Sequence, residues 1–423
     1  MMTLSEAIDF IKSADWQGCR PGLERITDLM NRLENPQKEL RYIHITGTNG
    51  KGSTAAMTAA ILQSAGYKVG LFTSPHLRYY NERIKVNGID ISDDDLCAMA
   101  EIVKPTVEQM EQIPSEFERF TAMAFLYFKR QKCDIVVLEV GLGGQLDCTN
   151  VIPSPEVAVI TNIGLEHTEY LGKTLKEIAG TKSGIIKPGA DVVLYHQSQE
   201  VEDVVRNRCV SVGCRLCVTD SEQLQLLKFS LSGQLLNYRD RKELRLSLLG
   251  MYQNGNAAVA LDTADALIAR GWKIPETAVR RGLSAVQWPG RLEVMQTSPL
   301  VLVDGAHNPN GAAALVCSLR EYLPGQKLIF VMGVMADKNY DEMLDIVAPL
   351  AEKFITVTPE SHRSLPSDQL RSEIQNRLML PVISAGNVGD GLTMALRECG
   401  PNQAICVFGS LYQVGEVRAY FRK

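Results

Sequence analysis

The chain has no block of basic residues and no long apolar run, and both absences narrow its function. Its 423 residues carry 44 Lys and Arg against 49 Asp and Glu, a formal net charge of −5. Because binding to a phosphate backbone needs clustered Lys and Arg, nucleic acid is not an expected partner. No stretch reaches the roughly 18 apolar residues that a membrane-spanning helix requires, so no membrane partner is expected either.

The chain also begins without a secretory signal, since MMTLSEAIDFIKSADW lacks a basic region followed by an apolar one. The ten cysteines are therefore interpreted as thiols in a reducing compartment, and the cytoplasm is the expected location. Cys214 and Cys217 form a C-x-x-C motif, but there is no second pair. This pattern favours buried strand thiols over a metal or redox site.

The length favours two or three domains, and the pattern of apolar runs indicates what they are. From residue 41, short apolar runs alternate with helix-like stretches, which predicts a parallel sheet covered by helices on both faces. The runs are RYIHIT, YKVGLF, DIVVLEV, VAVITNIG and DVVLY. Residues 224–249 then alternate apolar and polar side chains around Ser232 and Gly233, which predicts an antiparallel hairpin.

A second alternation of strands and helices begins near residue 299, with PLVLVDGAHN, KLIFVMGV, KFITVTP and AICVFGS. It predicts a smaller, Rossmann-like α/β domain of ordinary size. We therefore expect an α/β protein with a parallel-sheet domain over residues 1–295 and a second domain over residues 296–423. The hinge is expected between Trp288 and Pro299.

A glycine-rich turn follows the first predicted strand. A strand over 41–46, a turn over 47–52 and a helix over 53–65 would direct backbone N–H groups at phosphate oxygens. Lys51 would reach the phosphates. In the usual phosphate loop a Ser or Thr directly follows the lysine, whereas here Gly52 stands between Lys51 and the hydroxyl residues Ser53 and Thr54. A plain strand–turn–helix connection is the alternative. The candidate ATP-binding residues here are Gly47, Thr48, Asn49, Gly50, Lys51, Gly52, Ser53 and Thr54.

Side chains suited to a metal follow three further predicted strands. They are Ser74, Glu139 and His167, and the carboxyl ends of parallel strands lie along one edge of a sheet. A hydroxyl, a carboxylate and an imidazole placed together there could hold Mg²⁺, which keeps several waters or phosphate oxygens as ligands. Each of the three alone could equally be structural.

With its unusual loop GTNGKGS, the chain resembles the folylpolyglutamate synthases and dihydrofolate synthases, which are relatives of the Mur ligases. Other segments match that family in the same order, among them TSPHL (73–77), NERIKVNG (81–88), LEVGLGG (138–144), GIIKPG (184–189), PGRLE (289–293), DGAHNP (304–309) and VFGSLY (407–412). The resemblance implies a phosphate-loop ATP-binding domain and ATP-dependent amide ligation. A folate carboxylate would take the γ-phosphate of ATP, and the amine of L-glutamate would then displace phosphate.

The resemblance implies further that the enzyme lengthens folates with glutamate and could also use dihydropteroate as a dihydrofolate synthase. It implies a monomer with ATP, folate and L-glutamate as its small-molecule partners, and two Mg²⁺ ions as cofactor. Ser74, Glu139 and His167 would be metal ligands, and Lys51, Lys182 and His167 would be catalytic. Lys182 corresponds to a lysine that the family carries as a carbamate.

The remaining site residues also come from the resemblance. Asn256, Arg291 and Asp304 would contact ATP, and His307 and Ser410 would hold the incoming glutamate. Arg291 could instead form an ion pair with Glu293 or another acid, and Asp304 could be a helix cap. The folate site would comprise the segment 18–22 together with Phe117, Glu118, Leu146, Asp147 and Cys148.

The chain departs from the family pattern at a few positions. Gln145 stands where the family usually has Arg, Cys148 where it has Ala, and Tyr252 where a His is frequent. These departures bear on substrate preference more than on the ATP chemistry. A Mur-type ligase of another acid substrate is the alternative, but one that acts on a UDP-sugar peptide is disfavoured, because such enzymes carry a UDP-binding domain ahead of the ATP loop and only about 46 residues precede Gly47. A non-catalytic nucleotide switch is disfavoured because no base-reading Asn-Lys-x-Asp motif is present.

Overall fold

The structure is a computed structural model that describes residues 2–13, 22–401 and 403–422. It divides into two compact units, one formed by Met1–Leu224 with Gly255–Val286 and the other by Gln225–Asn254 with Gln287–Lys423. The segment 225–254, which the predicted division placed in the first domain, groups with the second unit. The division at residue 295 stays a prediction about independently folding domains.

The helices are α1 (Leu4–Lys12), α2 (Glu24–Arg32), α3 (Lys51–Ser64), α4 (Asp93–Val107), α5 (Glu116–Arg130), α6 (Thr168–Leu171), α7 (Leu175–Lys182), α8 (Gln199–Val212), α9 (Tyr252–Ala269), α10 (Glu276–Ala285), α11 (Pro309–Tyr322), α12 (Tyr340–Val347), α13 (Ser367–Arg377), α14 (Val388–Glu398) and α15 (Leu411–Phe421). No helix within the described residues is long and apolar enough to cross a membrane.

The strands are β1 (Tyr42–Thr46), β2 (Val69–Phe72), β3 (Ile84–Val86), β4 (Ile89–Asp90), β5 (Ile135–Glu139), β6 (Val157–Ile160), β7 (Asp191–Leu194), β8 (Arg215–Val218), β9 (Leu224–Ser230), β10 (Gly233–Tyr238), β11 (Arg241–Leu246), β12 (Glu293–Thr297), β13 (Leu300–Val303), β14 (Leu328–Met332), β15 (Ala351–Thr356), β16 (Val382–Ser384) and β17 (Ala404–Phe408).

The first unit is built on an eight-stranded sheet in the order β4-β3-β2-β5-β1-β6-β7-β8. Neighbouring strands from β2 to β8 in this order are parallel. At the other end, β3 pairs antiparallel with β2, and β4 pairs antiparallel with β3. The central strands β1, β2, β5, β6 and β7 are buried along their whole length. Burial on both faces explains their continuous apolar sequences, and the predicted parallel sheet is confirmed.

The second unit contains a six-stranded sheet in the order β12-β13-β17-β14-β15-β16 and a separate three-stranded sheet in the order β11-β10-β9. In the larger sheet only the β12–β13 pairing is antiparallel. Its apolar layer combines Phe330, Phe354 and Phe408 with residues of α11, α12 and α13. This unit is the α/β fold that the second alternation predicted, and the hairpin of β9 and β10 was also predicted.

Two details differ from the predictions. The hairpin continues into a third strand, β11, in which Leu244 and Leu246 are buried. The charged residues around these two leucines make its apolar pattern hard to recognise in the sequence. Cys214 and Cys217 are only partly buried, because they lie at β8, the outermost strand of its sheet. The cysteines in the described part of the chain are free thiols, as expected.

Candidate active site

Four neighbouring strands of the first sheet bring most of the predicted site residues of this unit to one edge. In the sheet order β2-β5-β1-β6, Ser74 follows β2, Glu139 ends β5, the glycine-rich loop follows β1, and His167 follows β6. All four strands run in the same direction. Their carboxyl ends therefore form the edge at which open parallel sheets bind ligands.

The glycine-rich loop has a conformation and surroundings that only glycine fits. Gly47 has a φ of +152°, and a Cβ there would lie 1.9 Å from Oγ1 of Thr161. Gly50 has a φ of +89°, and its Cβ would lie 2.4 Å from Oδ1 of Asn256. The Thr161 hydroxyl lies 2.8 Å from the carbonyl of Asn49, to which it can donate. The loop is thus held by close contacts with two neighbouring side chains.

The helix after the loop begins earlier than predicted, at Lys51 rather than at residue 53. Gly50 takes the left-handed conformation at the cap position, so the turn ends there. The Lys51 ammonium donates to the carbonyls of Gly47 (3.0 Å) and Thr48 (3.1 Å), which folds the side chain back over the loop. The buried Thr54 hydroxyl has no hydrogen-bond partner.

Two of the three predicted metal ligands are in contact. The backbone N–H of Ser74 donates to Oε2 of the buried Glu139 at 3.0 Å. His167 is exposed, in a left-handed conformation with a φ of +52°, and its Nε2 lies 4.0 Å from Oε1 of Glu166. Its loop is joined to the glycine-rich loop, because the Thr48 hydroxyl bonds to the carbonyl and N–H of Gly164 at 3.1 and 3.0 Å.

Lys182 is buried at the end of α7, where a lone lysine in a polar sequence would ordinarily be expected on the surface. Its ammonium donates to the Gly47 carbonyl at 2.8 Å, so Lys182 and Lys51 share one acceptor. Burial lowers the pKa of Lys182 to about 7, and the charge of Lys51 adds to this, while Glu166 and Asp147 oppose it. Near neutral pH, Lys182 is therefore close to half deprotonated.

Two glycines allow the chain to pass close to Lys182. A Cβ on Gly144 would lie 2.7 Å from the carbonyl oxygen of Lys182, and one on Gly184 would lie 2.3 Å from Cβ of Gln145. The Gln145 N–H donates to the carbonyl of Thr181 at 2.9 Å. The 141–147 turn and the segment that carries Lys182 are therefore packed backbone to backbone.

Asp147 is buried at the end of the 141–147 turn and organises it. Its Oδ2 accepts from the Leu142 N–H at 2.8 Å, and its Oδ1 accepts from the N–H of Thr149 at 3.0 Å and from that residue's hydroxyl. Burial raises the pKa of Asp147, and these hydrogen bonds act in the opposite direction. The ring of Phe117 packs on Gly141, where a Cβ would lie 2.4 Å from it.

The other predicted folate residues differ in their surroundings. Glu118 is buried, and its Oε2 accepts from Arg25 Nε (3.0 Å) and the Ser115 N–H (2.7 Å), whereas its Oε1 has no hydrogen-bond partner within the described part of the chain. The Cys148 thiol is buried 3.2 Å from the Thr121 hydroxyl, and burial raises its pKa. Leu146 is 49% exposed. Of the predicted segment 18–22, residues 18–21 lie outside the described residues.

In the second unit, Asp304 ends up buried directly after β13. Its Oδ2 accepts from the Tyr252 hydroxyl (2.6 Å) and the Leu292 N–H (2.8 Å), and its Oδ1 accepts from the Ala306 N–H (2.8 Å). Burial raises the pKa of Asp304, while the charge of Arg291 and these hydrogen bonds lower it. Asp304 does not cap the following helix, because Asn308 caps α11.

Arg291, His307 and Ser410 lie around the same strand ends. Arg291 Nη1 and the Leu411 side chain both approach Gly305, where a Cβ would lie 2.6 and 2.3 Å from them. Within the described residues, Glu293 pairs with Arg418 and not with Arg291, whose charge acts on another acid, Asp304. His307 Nδ1 lies 2.9 Å from the Gly305 carbonyl.

Ser410 is buried at the start of α15, and its hydroxyl accepts from the Tyr412 N–H at 3.1 Å. Because β13 and β17 are neighbours in the sheet, Asp304 and Ser410 lie at adjacent strand ends.

Comparisons with known proteins identify the family of the chain. The family model for the Mur ligase middle domain matches residues 45–264, and the model for the Mur ligase glutamate ligase domain matches residues 290–411. The dihydrofolate synthase/folylpolyglutamate synthase of Bacillus subtilis is 37% identical over 95% of this chain and 95% of its own length. The chain belongs to the folylpolyglutamate and dihydrofolate synthase family of Mur ligases.

Two further relatives support the assignment of this Mur ligase. The folylpolyglutamate synthase of Lacticaseibacillus casei is 34% identical over 99% of this chain and 98% of its own length. The structure of Mycobacterium tuberculosis folylpolyglutamate synthase complexed with ADP superposes with a TM-score of 0.91 at 32% identity, covering 99% of this chain and 98% of that one. The present chain is accordingly an ATP-dependent ligase.

The donor set of this Mur ligase suits Mg²⁺. Within the described residues, His, Cys, Asp and Glu side chains form no cluster of three that could hold a metal ion on its own. The buried Glu139 carboxylate accepts from the backbone N–H of Ser74, and a carboxylate beside a hydroxyl residue suits a hard cation that keeps water and phosphate oxygens as ligands. The residues present fit such an ion.

Some residues that organise this ligase site were not predicted. They are His44, Thr149, Thr161 and Lys187, all of which bond to loop groups of the site. Two of them carried a signal in the sequence: His44 is a polar residue inside an apolar strand, and Thr161 directly ends another. Their partners are distant in sequence, so the signal shows that they matter but not what they contact.

Proposed function

We propose that this chain is a folylpolyglutamate synthase that adds L-glutamate to tetrahydrofolates, and that it also accepts dihydropteroate as a dihydrofolate synthase. The observation that carries the proposal is the convergence of two amines on the Gly47 carbonyl, Lys51 at 3.0 Å and Lys182 at 2.8 Å. One amine sits where it can neutralise transferring phosphate, and the other is deprotonated enough to be modified.

In the first step, a carboxylate oxygen of the folate attacks the γ-phosphorus of ATP, and the bond to the β-phosphate oxygen breaks to leave ADP and an acyl phosphate. Such a transfer depends mainly on positioning and on neutralising charge. Lys51 and the N–H groups at the start of α3 supply that neutralisation. Mg²⁺ held at Ser74, Glu139 and His167 would contribute further charge at the phosphates when bound.

Lys182 acts in this proposal as a carbamate. Its neutral amine forms an N–C bond with CO₂, one C=O bond becomes a carboxylate oxygen, and the nitrogen loses a proton to water. The product is an anion at a position where the unmodified side chain is a cation or neutral. Such an anion would help to hold a second Mg²⁺. The lowered pKa and the burial of Lys182 support this role, since only a neutral amine reacts with CO₂.

The folate acceptor is assigned to the 141–147 turn and the start of α5. Asp147 and Glu118 provide buried acceptors, Phe117 an aromatic face, and Leu146 and Cys148 apolar contacts. A pterin ring presents N–H groups that can donate hydrogen bonds to such carboxylates.

In the second step, the amine of L-glutamate attacks the acyl carbon, loses its proton to solvent and expels phosphate. We assign His307 and Ser410 to the glutamate, and Asn256, Arg291 and Asp304 to further contacts with ATP. Arg291 carries a fixed charge beside the buried Asp304, which suits an anionic ligand. We also propose that the enzyme is a cytoplasmic monomer.

The proposal is tested by measuring phosphate release from Mg·ATP with and without L-glutamate, using tetrahydrofolate or dihydropteroate as acceptor. Glutamate-dependent release with tetrahydrofolate is expected, and release with dihydropteroate would establish the second activity. Release with tetrahydrofolate alone would restrict the enzyme to polyglutamylation, with Gln145 as a candidate cause. Release with neither acceptor, or release independent of glutamate, would contradict the proposed function.

A further inference from the structure

His44 is a fully buried polar side chain with no role in the reaction described above. It lies in the middle of β1, three residues before Gly47, and its register partners are Leu138 and Ala158 on the flanking strands. Partners in register point to the same face of the sheet, so His44 extends into an apolar layer. A buried imidazole there requires a hydrogen-bond partner that offsets the loss of water.

The partner of His44 is the hydroxyl of Thr149. Nε2 of His44 lies 2.9 Å from Oγ1 of Thr149, and Oγ1 of Thr149 donates to Oδ1 of Asp147. A hydroxyl has one proton, so Thr149 accepts from His44, and the imidazole carries its proton on Nε2. Among the described residues Nδ1 of His44 has no hydrogen-bond partner, as this tautomer of a neutral ring allows.

The charge state of His44 agrees with this direction. Burial lowers the pKa of His44 to about 3, and the nearby charge of Lys187 acts in the same direction. The ring is therefore neutral throughout the physiological range. His44 donates to Thr149, and Thr149 donates to Asp147, so both hydrogen bonds run from the strand towards the carboxylate.

The Asp147 carboxylate, at the end of this series of hydrogen bonds, is fixed at both oxygens. Besides the Thr149 hydroxyl, Oδ1 accepts from the Thr149 N–H, and Oδ2 accepts from the Leu142 N–H at 2.8 Å. Asp147 thereby joins the beginning of the 141–147 turn to its end. A shift of Thr149 would move the carboxylate and release the turn.

We propose that His44 and Thr149 are positioning residues that hold the Asp147 carboxylate, and with it the 141–147 turn, in the geometry that receives the folate acceptor. The inference rests on the proposed function, because it takes that turn as the acceptor site. Neither residue touches the substrate in this scheme. Misplacement of a binding group by about 1 Å can cost on the order of 10²-fold in rate, which is why two residues outside the site can matter to it.

The test compares Thr149→Val, which removes the hydroxyl, with Thr149→Ser, which keeps it. Thr149→Val is expected to raise KM for tetrahydrofolate about tenfold or more, with KM for ATP changed by less than about twofold. Thr149→Ser should restore the acceptor KM. Thr58→Val is the matched control, because Thr58 is equally buried in α3 and its hydroxyl has no hydrogen-bond partner in the part of the chain that the structure describes. That variant should leave both constants unchanged.

A double-mutant cycle tests whether His44 acts through Thr149. His44→Leu should raise the acceptor KM as Thr149→Val does, and combining the two should add little, because both break one chain. Fully additive effects would overturn the proposal that His44 acts through Thr149. So would a Thr149→Val enzyme with unchanged acceptor KM while the wild type is active. An inactive wild type would instead contradict the proposed function itself.

A measurement on the unmodified protein keeps the inference testable if Thr149→Val does not fold. The ¹⁵N spectrum of histidine-labelled protein, with His44 assigned by its loss in His44→Gln, should show a neutral ring protonated on Nε2 from pH 5 to 8. A ring protonated on Nδ1, or a ring that becomes charged in this range, would reverse the donors and overturn the proposal.

Discussion

Replacing Lys182 with Ala is the sharpest test of the proposed chemistry. At pH 7.5 a lysine of ordinary pKa is neutral in about one molecule in a thousand, whereas a pKa of about 7 leaves about three quarters neutral. The protein therefore raises the fraction of amine that can react with CO₂ by several hundred-fold. If the resulting anion takes part in phosphoryl transfer, Lys182→Ala should lower kcat by about 10²–10³.

The assay is glutamate-dependent phosphate release, and the decisive part is chemical rescue. Formate or acetate can enter the space vacated by the side chain and supply the missing carboxylate, so at least about tenfold of the lost activity should return. Wild-type turnover should fall in CO₂-free buffer and recover when bicarbonate is added. Undiminished activity of Lys182→Ala would refute the catalytic assignment, and loss without rescue would refute the carbamate.

Lys187→Ala provides the matched control for that rescue. Lys187 is also a largely buried lysine, and burial lowers its pKa to about 8. Its ammonium is bound to the carbonyls of Asn150 (2.7 Å) and Ile152 (2.6 Å), which require a cation or at least a donor. Any activity lost in this variant should therefore not return with formate or acetate. Equal rescue in both variants would indicate a general salt effect.

Four further predictions follow from the same contacts. Lys51→Ala should lower kcat by about 10²–10³ with unchanged thermal unfolding, because it removes one charge at the phosphates; near-normal turnover would refute the loop assignment. Gly50→Ala should destabilise the fold by about 1–3 kcal/mol and weaken ATP binding, since φ is +89° and the new methyl group would overlap Asn256; calorimetric ATP titration and denaturant unfolding that match the wild type would contradict this. Tyr252→Phe removes a hydrogen bond that lowers the pKa of Asp304, so the acidic limb of kcat/KM should move to higher pH; an unmoved limb would show that this carboxylate is not needed as an anion. In CO₂-free buffer, Lys182→Met should raise the free energy of unfolding by about 1–3 kcal/mol at pH 7 and by less near pH 10. Between about pH 7 and 10.5 the unfolded wild type binds a proton that the folded wild type does not, so the stability of the wild type rises with pH and the advantage of the variant shrinks. A gain that is independent of pH in denaturant titrations would mean that the Lys182 amine is not desolvated.

The sequence was sufficient for the parts of the fold that are buried on both sides. β5 and β6 consist almost entirely of apolar residues because helices cover both faces of the sheet, and their runs were recognisable. β4 and β16 were not predicted, since they are two and three residues long and not fully buried. A short strand at a sheet edge leaves too few alternating positions to be recognised.

Within the site, residues of one continuous motif were predictable and contacts between motifs were not. The glycine-rich loop could be recognised from Gly47 to Thr54 because its physical requirements are local. The bond from Thr161 to the Asn49 carbonyl joins residues 112 positions apart. Pairings of this kind depend on the order of strands in the sheet, which periodicity does not specify.

The burial of Lys182 shows how such long-range packing determines chemistry. Apart from the family resemblance, nothing in the sequence TKSGIIKPG distinguishes its first lysine from a surface lysine. The pKa of Lys182 is low mainly because its amine is buried. At Gly144 and Gly184 the 141–147 turn and the segment that carries Lys182 pack closely, since neither position has a side chain. A methyl group at Gly144 would have to displace the Lys182 carbonyl, 2.7 Å away, and with it the amine. The proposed role of Lys182 therefore depends on these two glycines, although neither carries a functional group.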